Sequence, residues 1–340
     1  MLLRVLRGFV FMASFVLGGI QIKNDLVQAP LAGYTDYAMR SMATDYGAGL
    51  VYTEMESCES LYYCAKPTLH DLAETKMDKK RNPDEKLALQ IFGGKSDIVL
   101  SSIPIFEKYG DYDFLDFNCG CPVPKVIRQR AGSFWLTRTD ELVDLASKMV
   151  KASSKPVIFK MRIGFDSLLD MPSLCKRLED VGVQGFAIHG RLRSEYFSGP
   201  VHYDVIKAIK EKVSVPVIAN GEITETNFQE VLKKTGADAV MIGQHAMGYP
   251  KIFEDMNRIE QGLTPNKTTL EGQIGDLRKH LDLIFSAKEE HQAAGIMRSI
   301  SLKYLKGFDD IKKVRLELVH CETLAQYLDV LNRVEENLAK

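Results

Sequence analysis

Short apolar segments alternate with amphipathic segments along most of this chain, up to about residue 260. The apolar runs are typical of buried parallel strands, and the segments between them repeat their apolar positions with helical period. The predicted strands are Leu26–Ala29, Leu50–Thr53, Leu87–Phe92, Phe114–Asn118, Val157–Met161, Gly185–His189, Val217–Asn220 and Ala239–Ile242. Helices are predicted between successive strands and after the last, for example at Glu141–Ala152, Leu174–Val181, Tyr203–Lys212 and Asn227–Lys234.

This alternation predicts an α/β protein built on a (β/α)8 TIM barrel. A doubly wound open sheet is the alternative, but that fold usually carries a glycine-rich dinucleotide turn after its first strand. Here the first strand is followed by Ala32-Gly33-Tyr34-Thr35, which is no such fingerprint. We therefore predict a barrel over residues 15–262.

The pattern changes after a segment rich in glycine, proline and asparagine, at residues 262–266. Beyond this segment the apolar periodicity is purely helical. It predicts helices at Leu270–Ala294, Met297–Leu305, Ile311–His320 and Thr323–Leu338. We predict a small C-terminal helical bundle domain over residues 267–340.

Residues 1–14 form an N-terminal extension that has two interpretations. Arg4 and Arg7 precede a short apolar run, which resembles a secretory signal peptide and is too short to span a membrane. Alternatively, Met12 is the true start, and residues 1–11 are an artefact or a frayed tail. We favour Met12, because the alternating segment Ile20–Val27 predicts a β-hairpin almost at once, with no cleavage site before it. On this interpretation the protein is cytoplasmic.

Composition narrows the possible functions only a little. The 340 residues include 44 lysines and arginines against 45 acidic residues, for a formal net charge of -1. Any basic surface for a nucleic acid must therefore be local. Six cysteines in a chain of this length do not indicate a disulfide framework. Cys119 and Cys121 are too close to resemble paired zinc ligands, so no metal site is predicted. Nothing indicates a membrane or an obligate protein partner.

Polar residues stand where the predicted strands end, and active sites of such barrels lie at the C-terminal strand ends. These residues are Glu54, Gln90, Asn118 with Cys121, Lys160 with Arg162, His189 with Arg191, Asn220-Gly221-Glu222 and Gly243-Gln244. A packed barrel needs none of them for stability, so their convergence predicts an active site. The glycines after the last two strands would let backbone N–H groups approach a phosphate, although tight turns need glycine anyway.

Three of these residues are candidates for chemistry. Pro122 stiffens the turn that carries Cys121, although a lone cysteine is more often a small buried apolar side chain. Lys160 ends an otherwise apolar strand, where an unpaired buried ammonium is costly. His189 is either a hydrogen-bonded core histidine or a ligand contact.

Together these motifs resemble the tRNA-dihydrouridine synthases, and they are most similar to the bacterial B-type branch. The resemblance extends from about Gly19 to the C-terminus. The motifs, in the family's order, are Ala29-Pro30-Leu31-Ala32-Gly33-Tyr34-Thr35-Asp36, Gln90-Ile91-Phe92-Gly93-Gly94, Asn118-Cys119-Gly120-Cys121-Pro122, Lys160-Met161-Arg162, His189-Gly190-Arg191, Val217-Ile218-Ala219-Asn220-Gly221 and Met241-Ile242-Gly243.

The resemblance implies an FMN enzyme that reduces specific uridines in tRNA to 5,6-dihydrouridine, with NADPH (or NADH) as reductant. Hydride from the flavin would add at C6 of the uracil, and Cys121 would be the acid that protonates C5. Flavin contacts are implied for Pro30, Leu31, Ala32, Gln90, Lys160, His189, Asn220, Gly221, Glu222, Gly243 and Gln244. Contacts to tRNA are implied for Asn118, Arg191, Arg193 and Arg298, the last in a helical domain that would bind tRNA.

The chain departs from the family pattern in two functional positions. Gln244 stands where an arginine commonly follows the glycine of the eighth strand, so phosphate binding would be weaker there unless backbone N–H groups suffice. Beside Arg298, the family's frequent Lys-His pair is replaced by Ser299 and Ile300. Two other functions remain open: an FMN barrel oxidoreductase acting on a small-molecule enone or pyrimidine, and a non-catalytic tRNA-binding protein.

Overall fold

The N-terminal part of the fold is a two-stranded antiparallel hairpin. The computed structural model describes residues 14–63, 66–308 and 311–338, so the proposed start at Met12 lies outside the described residues. The hairpin pairs β1 (Phe15–Leu17) with β2 (Ile20–Ile22), so it begins earlier than the segment Ile20–Val27 in which a hairpin was predicted, and Val27 belongs to the barrel.

Eight parallel strands follow and form the barrel. They are β3 (Leu26–Gln28), β4 (Val51–Ser57), β5 (Leu87–Phe92), β6 (Phe114–Cys119), β7 (Val157–Arg162), β8 (Phe186–His189), β9 (Val217–Asn220) and β10 (Ala239–Ile242). Neighbours in sequence are neighbours in the sheet, β10 pairs with β3, and a bridge between Val27 and Leu50 joins β3 to β4. The predicted TIM barrel is confirmed. Only β4 is much longer than predicted, because it continues past Thr53 through a register shift.

Helices connect the strands and cover the outside of the barrel. They are α1 (Tyr37–Asp45), α2 (Cys58–Tyr62), α3 (Lys66–Arg81), α4 (Ser96–Tyr109), α5 (Pro124–Arg128), α6 (Thr139–Ala152), α7 (Met171–Asp180), α8 (Tyr203–Lys212), α9 (Phe228–Thr235) and α10 (Ile252–Glu260). The largest hydrophobic cluster lies between these helices and the outward-facing strand residues, such as Leu115 and Phe117.

Strand alternation decides which side chains enter the barrel. In β6, Phe114 belongs to the inner cluster, whereas Leu115, Phe117 and Cys119 belong to the outer one. Phe15 and Leu17 of the hairpin join the inner cluster, where Leu17 is fully buried. The hairpin therefore closes the N-terminal end of the barrel, and polar inward-facing residues are left for the C-terminal end.

The C-terminal helices pack around a hydrophobic cluster of their own. They are α11 (Leu270–Ala287), α12 (Glu290–Tyr304), α13 (Lys312–Leu318) and α14 (Leu324–Leu338). The segment 262–266 lies between α10 and α11. No helix in the described ranges is both long and apolar enough to cross a membrane.

One predicted helix boundary is wrong. The first C-terminal helix ends at Ala287 rather than Ala294, because Lys288 adopts an extended backbone (φ -127°, ψ 156°). The Lys288 ammonium binds the Glu74 carboxylate of α3 and lies 3.5 Å from Asp71. This tertiary contact fixes the break, and Gly295 lies inside α12 instead of between two helices.

Candidate active site

A cavity of about 590 Å³ opens at the C-terminal end of the barrel. It brings together most of the residues predicted from the sequence: Pro30, Leu31, Ala32, Gln90, Asn118, Cys121, Lys160, His189, Arg191, Asn220, Gly221, Glu222, Gly243 and Gln244. A groove of 620 Å³ also lies between α13 and α14, but it is more open and lies away from the strand ends. We therefore place the candidate active site in the barrel cavity.

Two predicted arginines do not line this cavity. The Arg193 guanidinium lies 4.1 Å from the centre of the Phe165 ring and donates a hydrogen bond to Asp166 (3.2 Å). Arg298 is exposed on α12, and its guanidinium lies 3.7 Å from the Glu322 carboxylate. Any contact of these two residues with RNA must therefore be made outside the cavity.

The turn after β6 presents the Cys121 thiol to the cavity. Asn118 Oδ1 accepts hydrogen bonds from the backbone N–H groups of Gly120 (3.0 Å) and Cys121 (2.9 Å), which holds the turn in place. Cys121 is half-buried, whereas Cys119 is fully buried on the outer side of the barrel. Burial raises the pKa of the Cys121 thiol, against the opposing effect of the nearby Arg162 and Lys160. The thiol is therefore protonated at neutral pH.

A chain of hydrogen bonds inside the barrel orients the side-chain amides of Gln90 and Asn118. Gln90 Nε2 donates to Asp116 Oδ2 (2.7 Å), and Asn118 Nδ2 donates to Gln90 Oε1 (2.7 Å). Burial raises the pKa of Asp116 to about 7. Because Asp116 Oδ2 accepts a hydrogen bond, Gln90 must turn its Nε2 toward Asp116. Its Oε1 then faces Asn118 and accepts from Asn118 Nδ2, so the carboxylate sets the orientation of both amides. Sequence reasoning missed Asp116, although it has the same strand parity as Asn118 and so faces the same way.

Replacing Asn118 with alanine is expected to loosen the Cys121 turn. Two backbone N–H groups would lose their acceptor, at a cost of about 1–3 kcal/mol of stability. Urea unfolding measures this loss, and site-resolved alkylation by iodoacetamide should show faster modification of Cys121. Asn82→Ala is the matched control, because it removes a side-chain to backbone hydrogen bond (3.2 Å) from an exposed turn. Equal stability and equal alkylation for Asn118→Ala and its parent would contradict this role.

Lys160 and Arg162 supply the positive charge on the β7 side of the cavity. Lys160 Nζ donates to Asn220 Oδ1 (3.1 Å). Desolvation, reinforced by Arg162, lowers the pKa of Lys160 to about 8, so the ammonium is mostly charged at pH 7. Arg162 donates to the backbone carbonyls of Gly120 (3.0 Å) and Leu192 (2.7 Å), and it thereby braces the turn that carries Cys121.

His189 offers a buried polar atom to the cavity. Its Nε2 has no hydrogen-bond partner within the described ranges of the chain. Desolvation, with Arg162, Lys160 and Arg191 nearby, places the pKa of His189 well below its ordinary value, so the ring is neutral. A neutral imidazole with an unmatched ring nitrogen is suited to a hydrogen bond with a bound ligand.

The loop after β9 contains a glycine that the backbone requires, and its exposed Glu222 pairs with buried Arg191 of the preceding loop. Gly221 has φ +123°, and a Cβ there would lie 3.0 Å from the His189 ring and from Val201. The buried Arg191 guanidinium donates to the Gly199 carbonyl and pairs with the Glu222 carboxylate. Arg191 is therefore part of the cavity wall, and its charge is already balanced by Glu222.

Several lining residues were not assigned to the site from the sequence. They are Tyr34, Met55, Phe197, Met247 and Lys303, among others. Arg162, which was predicted at a strand end together with Lys160, also lines the cavity. Phe197, which is 52% exposed, lies in the irregular connection between β8 and α8, which has no periodic signal. Lys303 comes from α12, and nothing local in the sequence places that helix at the cavity.

An eight-stranded parallel barrel with a polar cavity at its strand ends has the architecture of a TIM-barrel enzyme. Solved structures share this fold. The structure of TcOYE with pHBA has a TM-score of 0.58 at 12% identity and covers 77% of this chain and 96% of that chain. Morphinone reductase has a TM-score of 0.56 at 12% identity and covers 77% and 92%. At these identities the likeness concerns the fold alone.

Sequence relatives identify the family. The model of the dihydrouridine synthase (Dus) family matches residues 27–339. The tRNA-dihydrouridine synthase B of Vibrio cholerae is 32% identical over 326 residues, which are 95% of this chain and 99% of that protein. The corresponding protein of Pasteurella multocida is 34% identical over 295 residues, 86% of each chain. A probable tRNA-dihydrouridine synthase of Rhizobium leguminosarum is 36% identical over 233 residues, 68% and 71% of the two chains. The chain belongs to the dihydrouridine synthase family, which confirms the resemblance noted in its motifs.

Proposed function

We propose that the protein reduces specific uridines in tRNA to 5,6-dihydrouridine, with FMN bound in the barrel cavity and NADPH or NADH as the reductant. The observation that supports this most directly is the convergence of Cys121, Lys160 and His189 on one cavity in a member of this family. The tRNA substrate agrees with the cytoplasmic location inferred from the sequence.

The residues of the cavity fit FMN. Its volume lies within the range of roughly 300–1,000 Å³ that is usual for ligand sites. Lys160 would place a positive charge beside the pyrimidine edge of the flavin, and the unmatched His189 Nε2 would find a partner there. The backbone at Gly221 and Gly243 would accommodate the ribityl phosphate, and Pro30 to Ala32 would line the ring. When bound, FMN would supply the hydride that the uracil receives at C6.

The protein's own contribution is to place and protonate the uracil. The target base must leave its stack to enter the cavity. Cys121 would then hold a proton at Sγ and deliver it to C5, which its raised pKa favours because the thiol stays protonated. Asn118 and Arg162 would act as positioning residues that hold the turn of Cys121. Asn118 would thus orient the acid, and its expected contact with tRNA stays a prediction.

This proposal is tested by incubating the full-chain protein with NADPH and an unmodified tRNA transcript. The purified protein should show a flavin absorbance spectrum, and nucleoside mass spectrometry of the tRNA should show dihydrouridine. The same tRNA taken from cells that already contain the modification should give no further product at the target position. A flavin-loaded protein that reduces small enones and leaves the tRNA unchanged would contradict the proposed substrate.

Binding of tRNA should depend on a local basic strip at the mouth of the barrel. Lys125, Arg128 and Arg130 are exposed on and after α5, next to the turn of Cys121. Replacing all three with alanine is expected to flatten the salt dependence of tRNA affinity by about 0.7–0.9 in log–log slope for each phosphate that is no longer neutralised. Affinity measured over a range of salt concentrations gives this slope.

The control changes three lysines at the opposite end of the barrel. Lys151, Lys155 and Lys212 are exposed near the C-terminal ends of α6 and α8, which face away from the cavity. Their replacement by alanine should leave the slope as it is in the parent. If both triple variants have the parent slope, the RNA contacts lie on another surface.

A further inference from the structure

Among the described lysines and arginines that line the cavity, one makes no hydrogen bond or ion pair through its side chain. Four lysine and arginine side chains line the cavity: Lys160, Arg162, Arg191 and Lys303. Lys160 donates to Asn220, Arg162 donates to two backbone carbonyls, and Arg191 pairs with Glu222. Lys303 differs from the other three, because it makes no hydrogen bond and no ion pair with its side chain among the residues that the structure describes. Its ammonium is therefore available to a ligand.

Contacts at its backbone place Lys303 beside the last barrel loop. Gly248, in the loop after β10, has φ +73°, and a Cβ added there would lie 2.5 Å from Lys303 Cβ. On the other side, Lys303 Nζ lies 5.9 Å from the centre of the Tyr34 ring, in the loop after β3. The base of the side chain thus lies against the β10 loop and its ammonium near the β3 loop, and Gly243 and Gln244 line the same cavity.

Within the described residues, the loops after β9 and β10 supply no lysine or arginine of their own to the cavity. The described cavity residues of the β9 and β10 loops are Asn220, Gly221, Glu222, Ile223, Gly243, Gln244, His245 and Met247, none of them a lysine or arginine. Of the arginines that line the cavity, Arg191 is the nearest to these loops in sequence, and it is paired with Glu222. In barrels of this kind the loops after the last two strands are the usual place for a phosphate. A phosphate monoester held there would carry about two negative charges, and the described residues of these two loops include no lysine or arginine to balance them.

We propose that Lys303 is the cationic ligand of the flavin phosphate, so that the phosphate site is shared between the barrel and the C-terminal helices. This inference rests on the proposed function, because it takes FMN as the occupant of the cavity. The charge of Lys303 would compensate for Gln244, which offers no charge at the end of β10. It also makes α12 part of the cofactor site, so cofactor affinity would depend on how the helices are seated on the barrel.

Comparing FMN with riboflavin isolates the phosphate, since riboflavin has the same ring and ribityl chain without it. Each flavin is titrated into flavin-depleted full-chain protein, and the dissociation constant is measured by fluorescence quenching. Lys303→Met is expected to weaken FMN binding by roughly ten- to a hundredfold, as for the loss of one charge-assisted hydrogen bond, and to leave riboflavin binding unchanged. Lys303→Arg should keep most of the preference for FMN.

Lys306→Met is the matched control, because Lys306 follows α12 closely and is exposed. It should change neither dissociation constant. An unchanged ratio of the two constants in Lys303→Met would overturn the inference; if its tRNA affinity falls at the same time, the lysine binds an RNA phosphate instead. If Lys303→Met does not fold, as judged by thermal unfolding, Lys303→Gln takes its place and the same ratio decides. A parent protein that binds neither flavin would overturn the proposed function itself, which separates the two failures.

Discussion

Replacing Cys121 with alanine is expected to slow dihydrouridine formation by about a hundred- to ten-thousandfold, the usual contribution of a positioned general acid. The thiol lines the cavity, and burial keeps it protonated at neutral pH, so its loss removes the proton source for C5. The variant should still bind FMN and still be reduced by NADPH, because the thiol has no part in those steps. Stopped-flow absorbance of the flavin, first with NADPH and then with unmodified tRNA, measures the two stages separately.

Cys119→Ala is the control for this variant. Cys119 lies two positions earlier on the same segment, but its side chain is fully buried on the outer side of the barrel. This variant should retain most of its activity, apart from a small loss of stability. If the flavin in Cys121→Ala is reoxidised by tRNA as fast as in the parent, Cys121 is not the acid.

Replacing Lys160 with methionine is expected to affect the earlier stage, by slowing flavin reduction by about a hundred- to a thousandfold. A fixed positive charge in a desolvated site stabilises developing negative charge far more than it would in water. The pKa of Lys160 is lowered to about 8, so the ammonium is present below that pH and is lost as the pH rises through it. In the parent, the rate of reduction by saturating NADPH should therefore fall as the pH rises through about 8.

Lys160→Met should lack this decline, since its side chain does not titrate. Lys155→Met is the matched control, because Lys155 is exposed just before the same strand, at the opposite end of the barrel. It should keep both the parent rate and the parent pH profile. A decline near pH 8 that persists in Lys160→Met would assign the titration to another group.

Much of the fold could be predicted from the sequence, because buried parallel strands are short apolar runs bounded by turns and amphipathic helices. The polar residues at the strand ends could also be predicted, because each apolar run shows where its strand ends. Residues such as Gln90, Asn118 and Lys160 follow apolar runs directly, and barrel topology brings such ends to one rim. Their roles toward flavin and uracil came from family resemblance, and they stay predictions.

What the sequence could not predict depends on contacts between distant parts of the chain. The break after Ala287 is fixed by Lys288 and its partner Glu74 on α3, and no local signal reports that pair. The ion pair of buried Arg191 likewise depends on the exposed Glu222, which lies on the next loop. Lys303 enters the cavity only because α12 packs against the loop after β10. Periodicity describes each element by itself, whereas these residues depend on how elements meet.

The pairing of β10 with β3 also has a consequence for synthesis of the protein. The first barrel strand leaves the ribosome early, and its partner is made only after every intervening strand and helix. Until then the nascent chain is an open curved sheet with two unpaired edges, and such edges invite pairing with other chains. The hairpin that closes the N-terminal end of the barrel is made before the strands, but it packs against the inner faces of strands that follow much later. The edges of the growing sheet therefore stay open to such pairing until Ile242 has emerged.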